Sequence, residues 1–201
     1  KNDKNLTDNF VNLYKTAAEF GNHFAQNRLG IMFEKGHFVD QDYKEAFNWY
    51  QKAAKQGNVE ALNNLAWLYK NGLGTEENIL RAIEIYKLAA KQGNSDANYM
   101  LGMIYESNHG VKQNYNKAFN YYRKAAFKNN SLAQCNLAIF YRNGYAVEQN
   151  LKLATYWFVK AGNNGNNYAQ YNLGIMYEYG QGVEQNTELA KHWYSLAAKS
   201  G

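Results

Sequence analysis

The chain has 201 residues, 46% of them apolar, which is enough to bury a core and excludes a disordered segment. Proline is absent and 18 residues are tyrosine, a composition that suits helices ended by glycine better than a sandwich or barrel with proline-bearing turns. Lys and Arg number 22 against 17 Asp and Glu, a net +5 spread along the whole chain with no basic block, so no nucleic-acid partner is expected.

The lone Cys135 rules out an intrachain disulfide framework, and no apolar run of about 18 residues is present, so no direct membrane insertion is expected. The chain opens Lys1-Asn2-Asp3-Lys4-Asn5 without an apolar leader. A signal peptide is therefore expected to be absent or removed, and the chain reads as part of a longer parent.

In chain order the first element is a stripe of Phe10, Tyr14, Ala17 and Gly21, which predicts a half repeat over 6–24 carrying a single helix. From Ala25 onward a 36-residue period runs without insertion, giving five units over 25–60, 61–96, 97–132, 133–168 and 169–201. Counting each unit's first alanine as position 1, position 5 is Leu29, Leu65, Leu101, Leu137 and Leu173, and position 9 is Phe33, Tyr69, Tyr105, Tyr141 and Tyr177. Positions 1, 5 and 8 to 9 share one helical face and predict a short amphipathic helix A in the first ten or eleven residues of each unit. Position 6 is always small (Gly30, Ala66, Gly102, Ala138, Gly174), as close approach of a second helix requires.

That second helix, B, is predicted to start after the N-caps Asp42, Asn78, Asn114, Asn150 and Asn186, with a capping box at Asp42-Tyr43-Lys44-Glu45. Its buried stripe is Ala46, Tyr50 and Ala53 and their equivalents down to Ala190, Tyr194 and Ala197. Helix B is expected to end at position 33, which is Gly57, Gly93, Asn129, Gly165 and Gly201, residues that accept a left-handed cap. Between A and B, positions 12 and 14 are mostly glycine, with Phe38, Asn108 and Ala146 breaking the pattern. Eleven short helices follow, each too short to persist alone, so they must stack on neighbours as one all-α array.

A candidate surface lies opposite the core stripe. Position 7 is about 160° around helix A from position 5 and yet apolar: Ile31, Trp67, Met103, Ile139 and Ile175. Position 3 (Asn27, Asn63, Tyr99, Cys135, Tyr171) and position 10 (Glu34, Lys70, Glu106, Arg142, Glu178) extend the same stripe. Two readings stand: these side chains pack against neighbouring A helices, or they line an open groove for an extended or helical peptide. The residues assigned to protein binding are Asn63, Trp67, Lys70, Tyr99, Met103, Ile139, Arg142, Tyr171 and Ile175.

Catalytic, cofactor and metal sites are not expected. His23, His37, His109 and His192 show no i, i+4 pair, the Gly-x-Gly turns follow no strand, and no nucleophile stands beside a base. Exposed tyrosines such as Tyr99, Tyr168, Tyr171 and Tyr179 leave an RNA-binding repeat as a competing class, weakened by the alternating sign of position 10.

The pattern Ala-x3-Leu-Gly-x2-Tyr-x2-Gly-x-Gly-Val, followed by Ala-x2-Trp-Tyr-x2-Ala-Ala-x2-Gly, resembles the Sel-1-like repeat of the tetratricopeptide-like superfamily along the whole chain. Thr75 departs from it where valine is usual. The resemblance implies a right-handed α-α superhelical solenoid that gathers a protein or peptide partner on a concave face lined by helices A, as a monomeric, non-catalytic adaptor. It further implies a bacterial parent, periplasmic or exported, engaging partner or host proteins. The alternatives are a structural spacer in a longer array and the RNA-binding repeat.

Overall fold

In the computed structural model residues 2–199 are described, with side chains from residue 10 onward. Among them are eleven α-helices and no strand: α1 (Asn2–Glu19), α2 (His23–Lys35), α3 (Tyr43–Lys55), α4 (Val59–Asn71), α5 (Ile79–Lys91), α6 (Ser95–Glu106), α7 (Tyr115–Ala126), α8 (Ser131–Asn143), α9 (Leu151–Asn163), α10 (Asn167–Tyr179) and α11 (Thr187–Lys199). The fold is the all-α helix-pair array that the period predicts. Gly201, read above as a cap, lies outside the described residues.

The chain divides into two compact units, Lys1–Ala97 and Asn98–Gly201, with the division in the first turn of α6. In the first unit α2 pairs with α3 and α4 with α5, while α1 packs on α2 and α3 on α4. In the second, α8 pairs with α9 and α10 with α11, while α7 packs on α8 and α9 on α10.

Helices A begin two residues earlier than their first alanine because an asparagine caps each of them. The side-chain oxygens of Asn22, Asn58, Asn94, Asn130 and Asn166 accept the amide of Ala25, Ala61, Ala97, Ala133 and Ala169 at 2.7 to 3.0 Å. Each cap satisfies a donor that the first turn leaves open. Helices B start where predicted, and Asp42 Oδ1 accepts from the amides of Lys44 and Glu45. The capping box closes only on that side, because the Asp42 amide donates instead to the carbonyl of Phe33. The amides of Asn78, Asn114, Asn150 and Asn186 do the same to position 9 of their own units. A glutamine just before four of these caps adds a second tie: Gln41, Gln113, Gln149 and Gln185 donate to the carbonyls of Glu34, Glu106, Arg142 and Glu178. Two orphan carbonyls at the end of helix A thus find donors within the A–B turn.

Positions 1, 5 and 8 carry the core of helix A, with Leu29, Leu101, Leu137, Leu173, Leu68 and Phe140 fully buried. Position 9 corrects the prediction: Phe33, Tyr69, Tyr141 and Tyr177 are half-buried, and only Tyr105 is buried. At 100° per residue, position 8 falls closer to the centre of the 1–5 stripe than position 9 does.

Two of the three residues that broke the glycine pattern take the glycine conformation: Phe38 and Ala146 have φ of 67° and 61°. Asn129 at the end of its B helix does likewise at 62°. Asn108 does not, and α6 stops at Glu106, where the Ser107 hydroxyl donates to the Ile104 carbonyl. Where position 14 is Gly74, a side chain is forbidden outright, because an added Cβ would lie 2.1 Å from the Tyr43 carbonyl oxygen.

Candidate protein-binding surface

On helix B the stripe Ala46, Tyr50 and Ala53 is fully buried, as are Tyr86, Tyr122 and Phe158 at the equivalent of Tyr50. Where position 6 of helix A is glycine, the ring at this place lies directly over it. An added Cβ on Gly30 would sit 2.5 Å from Tyr50 ring atoms, on Gly102 2.5 Å from Tyr122 and on Gly174 2.3 Å from Tyr194. Glycine there lets each ring slide along helix A until its hydroxyl meets position 10. Tyr50 donates to Glu34 at 2.6 Å, Tyr122 to Glu106 at 2.5 Å and Tyr194 to Glu178 at 2.6 Å.

The two intervening units are built differently. Position 6 is Ala66 or Ala138, position 10 is Lys70 or Arg142, and the ring is Tyr86 or Phe158. The buried Tyr86 hydroxyl has no hydrogen-bond partner, and Phe158 has no hydroxyl to satisfy. The repeat therefore alternates between two chemistries, one glycine–glutamate–tyrosine and the other alanine–cation–ring. The signal in the sequence is the co-occurrence of the three positions, which no one of them carries alone.

In the first unit Asn63 is half-buried, its Oδ1 enclosed and without a partner. Trp67 is half-buried with the Lys35 ammonium 5.9 Å from its ring centroid, and Lys70 is half-buried on the same helix. Glu34, expected among the stripe's charges, is buried between Tyr50 and Lys35.

In the second unit Met103 is 37% exposed and Tyr171 52%, while Tyr99, Ile139, Arg142 and Ile175 are half-buried. Tyr99 lies 6.0 Å from the Tyr122 ring and Tyr171 5.8 Å from Tyr194, so the two outer helices repeat one aromatic–carboxylate cluster. The Tyr99 phenol is pushed up by burial, then by Cys135 and Glu106. Cys135 occupies position 3 between them but is buried, and burial pushes its thiol up to about 12, which leaves it inert at neutral pH. Arg142 reaches across from α8 to α10, donating through Nη1 to Asn172 Oδ1 at 2.5 Å, with its guanidinium 5.7 Å over the Phe158 ring.

The repeat unit that places these residues matches the Sel1 repeat five times, over 23–58, 59–94, 95–130, 131–166 and 167–201. The chain belongs to the Sel1 repeat family. Among solved structures, c5321, a protective antigen present in uropathogenic Escherichia coli strains displaying an SLR fold, is 32% identical with a TM-score of 0.87. That match covers 94% of this chain and 40% of c5321, so the chain spans well under half of that relative's length. A Sel1 repeat protein from Oxalobacter formigenes is 31% identical with a TM-score of 0.81, covering 90% of this chain and 72% of its own. The immunity protein Pa5087 from Pseudomonas aeruginosa, 21% identical with a TM-score of 0.63 over 94% of this chain and 73% of its own, shares the fold. No curated protein matches the chain.

Sel1 repeats serve in general as protein–protein interaction scaffolds and are typically non-catalytic. In this Sel1 array no group of three or more His, Cys, Asp or Glu side chains is placed to hold a metal among the described residues, and no helix there is long and apolar enough to cross a membrane.

Proposed function

We propose that this Sel1 array is a non-catalytic adaptor that holds a segment of a protein partner against positions 3, 7 and 10 of the A helices within a compact unit. One observation carries the reading: on helices whose opposite stripe is buried, position 7 stays apolar in every unit and yet keeps exposed surface, from Ile31 and Trp67 to Met103, Ile139 and Ile175. Single exposed apolar residues are ordinary on a protein surface, but a periodic row bordered by Lys70, Arg142 and Tyr171 has the make-up of an interface core with a polar rim. The mixed charge of position 10 favours a polypeptide over an RNA backbone, which would call for cations in every unit.

The test compares the wild-type chain with a Trp67→Ala/Tyr99→Ala/Met103→Ala variant in affinity capture, with a nuclease-treated arm. Retention of a protein by the wild type alone, with both chains equally helical by circular dichroism, is the expected result. Retention abolished by nuclease overturns the proposal in favour of RNA, and identical retention by both chains places the binding surface elsewhere.

A further inference from the structure

The open stripe of the second unit carries one charge per repeat, in the order Glu106, Arg142, Glu178 along α6, α8 and α10. The three helices are neighbours in that order. Tyr99 of α6 and Phe140 of α8 both lie against the Tyr122 ring, at 6.0 and 5.5 Å between centroids, and Arg142 of α8 bonds to Asn172 of α10.

None of the three charges forms an ion pair among the described residues. Glu106 and Glu178 each commit only Oε2, to a tyrosine hydroxyl, and their Oε1 atoms accept no hydrogen bond among the described residues. Each keeps a second aromatic ring nearby, Tyr99 or Tyr171, so a carboxylate oxygen and ring faces come together, the combination that receives an ammonium or guanidinium. Arg142 uses Nη1 on Asn172 and Nε on Asn143 at 3.3 Å, forms no ion pair among the described residues, and retains Nη2. A planar guanidinium held from one edge and backed by a ring is positioned to receive a carboxylate.

We propose that the second unit reads an extended partner segment with the charge order basic–acidic–basic on every third residue. This rests on the scaffold reading above and names the chemistry of its partner. The spacing follows from geometry: helices that meet only through side chains, as α8 and α10 do through Arg142 and Asn172, stand about one helix diameter of 10 to 12 Å apart, and a polyproline II chain advances about 9 Å per three-residue turn while returning its side chain to the same face. One such turn spans one repeat. Side chains at i, i+3 and i+6 then meet Glu106, Arg142 and Glu178 in turn, and the intervening residues lie along Met103, Ile139 and Ile175.

The full chain is titrated with four blocked synthetic peptides, followed by fluorescence anisotropy. Their cores are Lys-Ser-Pro-Glu-Ser-Pro-Lys, the charge-swapped Glu-Ser-Pro-Lys-Ser-Pro-Glu, the same core with lysine at all three charged places, and one with leucine at all three. The first core is expected to bind at least about 10-fold tighter than the swapped one, with the difference shrinking as salt screens the charges. Arg142→Glu, checked for unchanged helicity, is expected to move the preference to the all-lysine core, and Arg142→Gln to erase the preference at the centre. Equal affinity for the first two cores, or no binding of either, overturns the charge order. Binding of the leucine core alone overturns it too while leaving the scaffold reading intact, so the two fail separately.

Discussion

Gly102→Ala sets two opposing effects against each other on one helix. By propensity alone the substitution stabilises α6 by about 1 kcal/mol, since alanine is the better helix residue. Against that, the new Cβ would sit 2.5 Å from both Cδ1 and Cε1 of Tyr122, a fully buried ring on the neighbouring helix. Overpacking of this kind costs about 1 to 3 kcal/mol. Displacing the ring also pulls its hydroxyl from the Glu106 carboxylate, a bond to a charged group worth about 1.5 to 3 kcal/mol. The net expectation is a destabilisation of about 1.5 to 5 kcal/mol, or a melting point lower by roughly 3 to 20 °C for a chain of this size. Denaturant and thermal melts followed by circular dichroism measure it. Gly102→Ala/Tyr122→Phe supplies the control, since it recreates the Ala138–Phe158 arrangement, and its cost should fall short of the sum of the single variants. A single variant as stable as the wild type, or more stable, would refute the reasoning, because propensity would then outweigh the packing of the ring.

Two further predictions use the alternation between repeat types. Tyr86→Phe removes a buried hydroxyl that has no partner and is expected to leave stability unchanged or raise it slightly, whereas Tyr122→Phe leaves Glu106 without its donor and should cost about 1 to 3 kcal/mol; equal effects in denaturant melts would contradict this. In alkaline solution the phenols of Tyr50 and Tyr122 are pushed well up by burial and then by their bonds to Glu34 and Glu106, and that of Tyr86 by burial alone. Because the folded pKa values are raised, their contribution is whole below the unfolded tyrosine value near pH 10 and is lost above it, by up to about 1.4 kcal/mol per pH unit for each ring. Phenolate absorbance should show these three of the 18 tyrosines ionising only as helicity collapses; reversible titration of all of them with the helices intact would sink the assignment.

The helices and their pairing could be read from the sequence because both depend on local or periodic features. Asp42 and the four asparagines in its place act through the adjacent backbone, and Leu29 and its equivalents repeat at a spacing that only one helical face satisfies. The left-handed turns were only partly legible. A glycine announces a positive φ, but Phe38 and Ala146 are held there by the loop that surrounds them and carry no such mark in their own chemistry.

Tertiary structure alone decided which stripe residues remain open and which charges are spent. Cys135 and Tyr99 hold the same position in the repeat, yet one is buried and the other half-buried, because that depends on the neighbouring helices. Glu34 and Glu178 likewise share position 10 and the same tyrosine bond, but Glu34 is enclosed and Glu178 exposed. Sequence spacing fixes the direction in which a side chain leaves its helix; whether another atom or water fills the space it enters is a property of the packed array.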